Sequence, residues 1–418
     1  MYLERLYTAF TNSTGVTTDS RKIEKGTLFF ALHGASFDGN DYAVQSLEKG
    51  ASMAVIDRKD ILDANPDYAE QFILVEDTLQ ALQALAREHR RELAIPIIAI
   101  AGSNGKTTTK ELVSRVLAER FEVSATKGNL NNHIGVPLTL LSMNNETEFG
   151  VVEMGASAQH EIELLCSIAE PNYGILTNIG LSHLEGFGGI DGIRKGKGEL
   201  FDYLNENGGW AFVPQEDTTL CDMVIERENM AVEYYTRTIA DGFESNLTGD
   251  YNRYNIAAAV AVGRYFDIDD NHIAEAILSF TPNNNRSQTV KTEHNSLVVD
   301  CYNANPSSME VALDNIATME AERKILILGD MLELGEWSAE AHQNILRKAD
   351  KIASGIILVG GEFAAAHSIV EEELNSNYTL YPTTTEALKA FERKPIQNAL
   401  ILLKGSHGIA LEKLIQKL

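Results

Sequence analysis

Cysteine is scarce in this chain of 418 residues: there are three, Cys166, Cys221 and Cys301, and they lie far apart. No two of them form a CxxC pair, so the sequence predicts neither a disulfide framework nor a thiolate zinc site. Long apolar runs are also missing. The segment IPIIAIAG at 95–102 is well short of the roughly 18 residues that a membrane span needs. The N-terminal MYLERLYTAF lacks the apolar core of a signal peptide. We therefore expect a cytoplasmic protein without membrane insertion.

Positive charge is in deficit. The chain has 35 Lys and Arg against 60 Asp and Glu, which gives a formal net charge of −25. Such a protein repels nucleic acid and anionic lipid on average, so no nucleic-acid partner is expected. A phosphate ligand would need a local group of donors that overcomes this field. Apolar residues make up 44% and charged residues 23% of the chain, values typical of a folded globular protein.

Short β-branched segments alternate with helical patterns along the chain, which predicts the α/β fold class. The length favours about three domains, at about 150 residues each. We predict a small α/β domain over 1–93, a central parallel-sheet domain over 94–284, and a third α/β domain over 285–418. The Asn-rich segment 281–285 is predicted to be a linker that acts as a hinge. Ligands are expected at the carboxyl ends of the parallel strands.

The strands are predicted from short runs rich in apolar and β-branched residues, and the helices from apolar residues that recur on one face. Asn305 is the expected N-cap of a helix that begins at Pro306. The predicted strands are 27–32, 52–56, 72–75, 95–101, 149–155, 173–180, 297–300, 324–329, 355–360 and 399–404. The other predicted helices are 78–92, one that follows Gly105, one around 160–169, 253–265 and 271–279.

One segment between a strand and a helix carries the signature of a phosphate-binding loop: Gly102, Ser103, Asn104, Gly105, Lys106, Thr107 and Thr108. Glycines let backbone amides turn toward phosphate oxygens, and the helix N-terminus adds positive potential. Lys106 supplies a point charge for the β- and γ-phosphates, and the Thr107 hydroxyl can bind Mg²⁺. The spacing is shorter than GxxxxGK[ST], because position 100 is isoleucine. A simple glycine turn is the alternative, and this context favours nucleotide binding.

With these motifs and others in order, the sequence resembles the Mur ligase family over nearly its whole length. The motifs that carry the resemblance are TDSR at 18–21, the loop at 102–108, GNLNN at 128–132, VEMGA at 152–156, HLEGFG at 183–188, KGKGE at 195–199, Asn252 with Asn255, DCYNANP at 300–306, GDMLELG at 329–335 and KGS at 404–406. The segments DCYNANP and GDMLELG point to the branch that adds a D-alanyl-D-alanine dipeptide.

The resemblance implies an ATP-dependent amide-forming ligase of peptidoglycan precursor synthesis. Such an enzyme joins D-alanyl-D-alanine to UDP-N-acetylmuramoyl-tripeptide through an acyl phosphate and releases ADP and phosphate. It implies a uridine-binding first domain, a P-loop ATPase-like central domain, and a Rossmann-like third domain on the dipeptide side. A monomer is expected. The third residue of the tripeptide, meso-diaminopimelate or lysine, stays open.

The resemblance also implies a catalytic set of Lys106, Glu153, His183 and Lys197, with two Mg²⁺ ions. Glu153 ends a predicted strand at the rim where ligands are expected, and an oxygen donor there suits a cation. Thr107, Glu153, His183 and Lys197 are the expected metal ligands. A bare lysine cannot bind a cation, so Lys197 is expected as its carbamate. Lys195 is the alternative, because only one of the two can face the site on a helix.

The remaining expected contacts come from the same resemblance. For ATP they include Asn252, Asn255, Arg286 and Asp300, in addition to the loop at 102–108. For the other two substrates they are Ser20, Arg21, Asn129, Asn131, Asn132, Asp330, Glu333 and Lys404. The family often has arginine where His407 stands, which leaves open how the carboxylate of the dipeptide is held.

Two other functions compete with this interpretation. One is a related ligase, either the one that adds the third amino acid or a folylpolyglutamate synthetase. The TDSR segment disfavours the folate enzyme, and GDMLELG and DCYNANP disfavour the earlier cell-wall ligases. The other is a regulatory ATP-binding switch, which would need one Mg²⁺ and no carbamate. Glu153, His183 and Lys197 favour the ligase.

Overall fold

The computed structural model describes residues 2–228, 230–282, 286 and 288–418. Within them the strands form three sheets, one after another along the chain, and we call the corresponding parts the N-terminal, middle and C-terminal units. The α/β fold class is confirmed. None of the helices in the described ranges combines the length and the apolar character needed to cross a lipid bilayer.

The N-terminal unit is a four-stranded parallel sheet in the order β1-β2-β3-β4. Its last helix begins at the N-cap Asp77, whose carboxylate accepts from the backbone N–H of Gln80, and it buries Leu82 and Leu85. The elements are α1 (Tyr2–Thr11), β1 (Val16–Thr17), β2 (Leu28–Phe30), α2 (Ala43–Glu48), β3 (Met53–Ile56), α3 (Lys59–Ala64), β4 (Phe72–Leu74) and α4 (Thr78–Leu93).

The middle unit has a six-stranded parallel sheet in the order β10-β9-β8-β5-β7-β6. Its central strand β5 is buried along its whole length, as expected for a parallel sheet covered on both faces. The elements are β5 (Ile97–Ala101), α5 (Lys106–Ala118), β6 (Val123–Ala125), α6 (Gly135–Leu141), β7 (Phe149–Glu153), α7 (Glu161–Ala169), β8 (Tyr173–Leu176), α8 (Leu184–Phe187), α9 (Ile190–Asn207), β9 (Trp210–Pro214), α10 (Thr218–Ile225), β10 (Ala231–Tyr235), α11 (Asn252–Tyr265) and α12 (Asp270–Ser279).

The C-terminal unit has a second six-stranded sheet, in the order β11-β12-β16-β13-β14-β15. Among the described residues, only its β11–β12 pair is antiparallel. The predicted cap is confirmed: Asn305 and Ser308 form a capping box, and Pro306 is the first helical residue. The elements are β11 (Gln288–Lys291), β12 (Ser296–Asp300), α13 (Pro306–Thr318), β13 (Lys324–Gly329), α14 (Ser338–Ala349), β14 (Gly355–Val359), α15 (Gly361–Val370), β15 (Asn377–Tyr381), α16 (Thr384–Arg393) and β16 (Leu400–Lys404).

The ten predicted strands are confirmed, with ends that shift by a few residues. The largest shift is in 173–180, which is a strand only to Leu176. Six strands in the described part of the chain were not predicted, and five of them are sheet edges with half-exposed residues: β1, β6, β10, β11 and β15. An edge strand buries less apolar surface, so its sequence pattern is weaker. Within the predicted hinge at 281–285, residues 283–285 lie outside the described part of the chain.

Candidate active site

A cavity of about 1270 Å³ lies between the middle and C-terminal units. Its floor is the edge of the middle sheet where β5, β7 and β8 end, which is the side on which parallel sheets bind ligands. The C-terminal unit covers it with residues along the length of α13 and with the ends of β12 and β16. Lining residues include Asn104, Lys106, Asn131, Glu153, Asn178, His183, Arg286, Asp300, Tyr302, Ser307 and Lys404.

The loop at 102–108 connects β5 to α5, and two of its glycines are required by close contacts. Gly102 has φ +129°, and a Cβ there would lie 2.1 Å from Thr177 Oγ1. Gly105 has φ +82°, and a Cβ there would lie 2.6 Å from Asn255 Oδ1. Only glycine tolerates both conditions without strain. The loop is fixed further by Ser103, which exchanges hydrogen bonds of 2.8 and 2.9 Å with the backbone of Gly180.

Lys106 begins α5 and points back over the loop. Its ammonium donates to the carbonyl oxygens of Gly102 at 2.8 Å and Ser103 at 3.1 Å. Burial lowers the pKa of Lys106 to about 8, against the attraction of Glu153. A phosphate anion beside this side chain would favour its charged form. Lys106 is therefore placed where an incoming anion would gain a strong partner.

Glu153 and Thr107 each carry a buried oxygen with no hydrogen-bond partner among the described residues, Oε2 and Oγ1 respectively. Glu153 is 1% exposed, and its other oxygen accepts from Asn131 Nδ2 at 2.8 Å. Its backbone N–H donates to Thr126 Oγ1 at 3.0 Å. A buried carboxylate oxygen is costly without a partner. A hard cation that takes oxygen ligands would satisfy both atoms.

No group of three or more His, Cys, Asp or Glu side chains in the described ranges could hold a metal ion. A cation between Thr107 and Glu153 would therefore need oxygens from water and from a ligand. This is the usual situation of Mg²⁺, which is bound through one or two protein oxygens plus substrate phosphates. The residues present fit that ion.

His183 lies beyond β8 with φ +52°. Its Nδ1 contacts the carboxylate of Glu333, which belongs to the C-terminal unit. Burial lowers the pKa of the His183 ring, and Glu333 opposes that shift. The contact joins two units across the edge of the cavity.

The structure distinguishes Lys195 from Lys197, between which the sequence did not decide. Lys197 is 1% exposed, whereas Lys195 lies exposed on the other side of α9. The amine of Lys197 donates to the carbonyl of Ala156 at 2.8 Å and lies 4.8 Å from the centre of the Phe187 ring. Burial, reinforced by Lys106, lowers the pKa of Lys197 well below its usual range. Lys197 is thus the lysine directed into the protein.

Asn252 and Asn255 begin α11 and line the cavity. Their amides are largely engaged with each other and with α5. Asn255 donates to Asn252 Oδ1 at 2.8 Å and accepts from Thr109 Oγ1 at 3.1 Å, and Asn252 donates to Thr248 at 2.7 Å. In this structure they attach α11 to the phosphate-loop helix, and their contact with adenine stays a prediction.

The C-terminal unit supplies a charged group to the cavity. The Arg286 guanidinium lies 3.8 Å from the centre of the Tyr302 ring, and its buried Nε has no hydrogen-bond partner within the described part of the chain. Lys404 forms an ion pair of 3.0 Å with Asp300 and donates to Asn303 at 2.6 Å. The positions of Arg286 and Asp300 agree with contacts to the phosphates and ribose of a nucleotide, which stay predictions. The expected contact of Lys404 with the dipeptide also stays a prediction.

Asp330 has a structural role that the sequence did not predict. Its two carboxylate oxygens accept from the backbone N–H groups of Glu362 at 3.0 Å and Phe363 at 2.8 Å. These are N–H groups of the first turn of α15, so Asp330 caps that helix. The expected contact between Asp330 and the dipeptide stays a prediction.

The two groups of expected UDP-peptide residues lie in different places. Asn129, Asn131 and Asn132 line the cavity. Ser20 and Arg21 are not among its lining residues, and Arg21 is paired with Asp19 at 2.9 Å. The structure therefore places the three asparagines in the same cavity as the phosphate-binding loop. The TDSR segment lies outside that cavity, on the N-terminal unit.

Two contacts of the phosphate-binding loop were missed by sequence reasoning. Asn178 accepts from the backbone N–H of Asn104 at 3.1 Å and donates to its carbonyl at 3.0 Å. Asn305 Nδ2, from the C-terminal unit, donates to Asn104 Oδ1 at 2.9 Å. The position of Asn178 directly after a buried strand was an available signal, because such residues face the ligand edge. The hydrogen bond from Asn305 to Asn104 depends on how the two units dock, so no signal for it was present in the sequence.

The fold and the site define a class: a three-unit α/β protein whose phosphate-binding loop faces a cavity covered by its C-terminal unit. Three family models match the chain in succession. They are the Mur ligase family catalytic domain over residues 12–90, the Mur ligase middle domain over 100–242, and the Mur ligase glutamate ligase domain over 285–407. Together they cover most of the sequence. The chain belongs to the Mur ligase family.

Named relatives match along almost the full length. The UDP-N-acetylmuramoyl-tripeptide–D-alanyl-D-alanine ligase of Bacillus subtilis is 35% identical, and the match covers 97% of this chain and 93% of the relative. The ligase of the same name from Escherichia coli is 31% identical, with 96% and 93% covered. A crystal structure of MurF from Acinetobacter baumannii is similar with a TM-score of 0.84 and 28% identity, covering 99% of this chain and 97% of that one.

Proposed function

We propose that this protein is an ATP-dependent ligase that joins D-alanyl-D-alanine to UDP-N-acetylmuramoyl-tripeptide in the synthesis of peptidoglycan precursors. The family and the names of its near full-length relatives support the substrates. One observation of the structure carries the chemistry. The phosphate-binding loop, Glu153 and the C-terminal unit's Arg286 and Lys404 line a single cavity. The predicted ligase is favoured over a switch, because a switch needs no cavity shared with a second substrate.

ATP would bind with its phosphates on the loop at 102–108. Backbone N–H groups and the N-terminus of α5 then face the phosphate oxygens. Lys106 would exchange its bonds to the loop carbonyls for bonds to phosphate, and gain in charge–charge attraction. Arg286 would approach from the C-terminal unit, since its guanidinium already lines the same cavity.

Thr107 and Glu153 would hold Mg²⁺, because both carry a buried oxygen without a partner in the described ranges. The ion supplies charge neutralisation on the phosphoryl oxygens when bound. A second Mg²⁺ would be held by His183 and by the carbamate of Lys197. Asn131 keeps Glu153 oriented through its hydrogen bond to Oε1.

The environment of Lys197 suits carbamate formation. The reaction needs the neutral amine, and burial lowers the pKa of Lys197 so that this form is more populated than in an exposed lysine. The amine nitrogen forms a bond to the carbon of CO₂, and one proton is released. The product carries one negative charge shared by two oxygens, and such oxygens are ligands that Mg²⁺ prefers.

The proposed reaction has two transfers in one cavity. An oxygen of the tripeptide carboxylate attacks the γ-phosphorus of ATP, which gives an acyl phosphate and ADP. The amine of D-alanyl-D-alanine then attacks the acyl carbon, loses a proton, and displaces phosphate. Lys106 and Arg286 stabilise the negative charge in both steps. The covered cavity keeps water from the acyl phosphate. Asn129, Asn131 and Asn132 are proposed to orient the sugar peptide, and Asp330, Glu333 and Lys404 the dipeptide side.

The test is phosphate release by the purified protein with ATP and Mg²⁺. Release should require UDP-N-acetylmuramoyl-tripeptide and D-alanyl-D-alanine together, and mass spectrometry should detect the new amide. Parallel reactions with meso-diaminopimelate and lysine tripeptides identify the third residue. Equal ATP hydrolysis with and without both substrates would contradict the ligase and favour the regulatory switch. Light scattering on the same sample tests the expected monomer.

A further inference from the structure

A short loop of the C-terminal unit reaches into the middle unit beside the candidate metal site. It spans 330–335, directly after β13. Its Glu333 carboxylate contacts His183 Nδ1, and its Glu333 carbonyl accepts from the backbone N–H of Glu185 at 3.4 Å. Trp337 follows, and its ring lies 3.6 Å from the point where a Cβ on Gly189 would be. The loop is therefore part of the contact between the units.

The contact with Glu333 determines which nitrogen of His183 carries a proton. A carboxylate only accepts hydrogen bonds, so the proton of the shared bond lies on Nδ1. The neutral ring then has its lone pair on Nε2. A histidine that binds a metal through one nitrogen generally donates its other N–H to a carboxylate or carbonyl, which fixes both tautomer and orientation.

The backbone at both partners is unusual. His183 has φ +52° and Glu333 has φ +62°. Few residues other than glycine adopt this left-handed region, which costs free energy. Conformations of this kind persist where surrounding structure holds them, and they cluster at functional sites. Here His183 and Glu333, which contact each other across two units, both have this left-handed backbone conformation.

The C-terminal unit fixes the loop at three points. The Met331 backbone N–H donates to Nε2 of the buried His342 at 3.0 Å. The Leu332 N–H donates to Ser406 Oγ at 3.0 Å. The Asp330 carboxylate is held by the first turn of α15. Successive backbone groups are thus anchored immediately before Glu333, which fixes the backbone from which its carboxylate projects.

We propose that Glu333 is a positioning residue that holds His183 in its Nδ1–H tautomer, so that docking of the C-terminal unit completes the metal site of the middle unit. This rests on the proposed function for its consequence in catalysis. His183 and Lys197 lie in the middle unit, whereas the group that orients His183 comes from the unit on the dipeptide side. The site is therefore oriented for metal only when the two units meet.

The first test observes the tautomer directly and needs no activity. The full-length protein is labelled with ¹⁵N-histidine, and the ring nitrogens are detected by NMR at neutral pH, with the His183 signals assigned from the H183A variant. Wild type should show Nδ1 protonated and Nε2 unprotonated. E333A and E333Q should both show a mixture of tautomers, because alanine removes the partner and the glutamine amide can donate to Nδ1 as well as accept from it. E336A replaces an exposed glutamate just after the loop; it is the control and should match wild type.

The second test asks whether Glu333 acts through His183. E333A should lower kcat by about 10- to 100-fold, the usual cost of removing such a partner, with a smaller change in the KM for ATP. In the H183A background E333A should have no further effect, because the two residues would act as a unit. Emission of Trp337, measured in a W210F background, should not change with E333A, since Asn305 and Ser307 still hold the units together.

Three results would overturn the proposal. The first is a wild-type His183 that is protonated on Nε2, and the second is multiplicative effects of E333A and H183A on kcat. The third is a shift of Trp337 emission in E333A, which would show that Glu333 holds the two units together instead of orienting His183. If wild type forms no amide, the proposed function fails, whereas the tautomer result still decides this inference.

Discussion

Asn305 offers a substitution that separates two roles of one side chain. Its Oδ1 accepts from the backbone N–H of Ser308 at 2.9 Å and caps α13. Its Nδ2 donates at 2.9 Å to Asn104 Oδ1 in the phosphate-binding loop. Asn305→Ala removes both bonds. Asn305→Asp keeps the cap, because a carboxylate accepts equally well, but it loses the donor that meets Asn104.

The expected magnitudes follow from these contacts. Loss of an N-cap costs about 1 kcal/mol, so Asn305→Ala should lower the Tm by about 4 °C. Asn305→Asp should leave the Tm nearly unchanged. Loss of the bond to Asn104, worth about 0.5–1.5 kcal/mol, should raise the KM for ATP by about two- to tenfold in both variants. The negative charge of aspartate beside a phosphate site places it at the upper end.

The assays are differential scanning fluorimetry and phosphate release at varied ATP. Thr383→Ala is the matched control, because Thr383 caps α16 in the same unit and is not a lining residue of the cavity. It should lower the Tm without changing the KM. An Asn305→Asp variant with the wild-type KM for ATP would refute the argument that this bond couples the units to the nucleotide site.

Three more predictions follow from burial. Lys197→Ala should abolish amide formation even with added bicarbonate, whereas Lys195→Ala should stay near wild type, measured by phosphate release. Glu153→Gln should lower kcat by about 100-fold or more. Without Mg²⁺ its urea midpoint should equal or exceed that of wild type, because the substitution removes a buried negative charge, one oxygen of which has no hydrogen-bond partner in the described ranges. Burial lowers the pKa of His89, so the folded state binds fewer protons than the unfolded one, and stability is lost as pH falls below about 6.5. His89→Gln should show a smaller loss between pH 7.5 and 5.5 in urea unfolding.

Each of these has an outcome that would contradict it. Near-normal turnover of Lys197→Ala would refute the carbamate. A Glu153→Gln variant that unfolds at lower urea in the absence of Mg²⁺ would show that the carboxylate stabilises the apo fold. An unchanged pH dependence in His89→Gln would mean that His89, which contacts Met143 at 2.9 Å, does not control stability there.

Local sequence determined much of this protein. The strand–loop–helix order around Lys106 was enough to place a phosphate loop at the end of a buried strand. The cap at Asn305 followed from residue types that satisfy the first N–H groups of a helix. The family resemblance, carried by motifs in order, gave the identity of the family, since each motif alone is common and the order is not.

Tertiary structure decided which side chains meet. A helix places Lys195 and Lys197 on different sides, yet only the packing of α9 against the middle sheet shows that Lys197 is the buried one. Asp330 and Glu333 belong to one sequence motif, but in the structure Asp330 caps the N-terminus of α15 and Glu333 contacts His183. Residues far apart in the chain are brought together by sheet order and by the docking of units. Sequence periodicity reports only on neighbours along one element, and so could not specify those contacts.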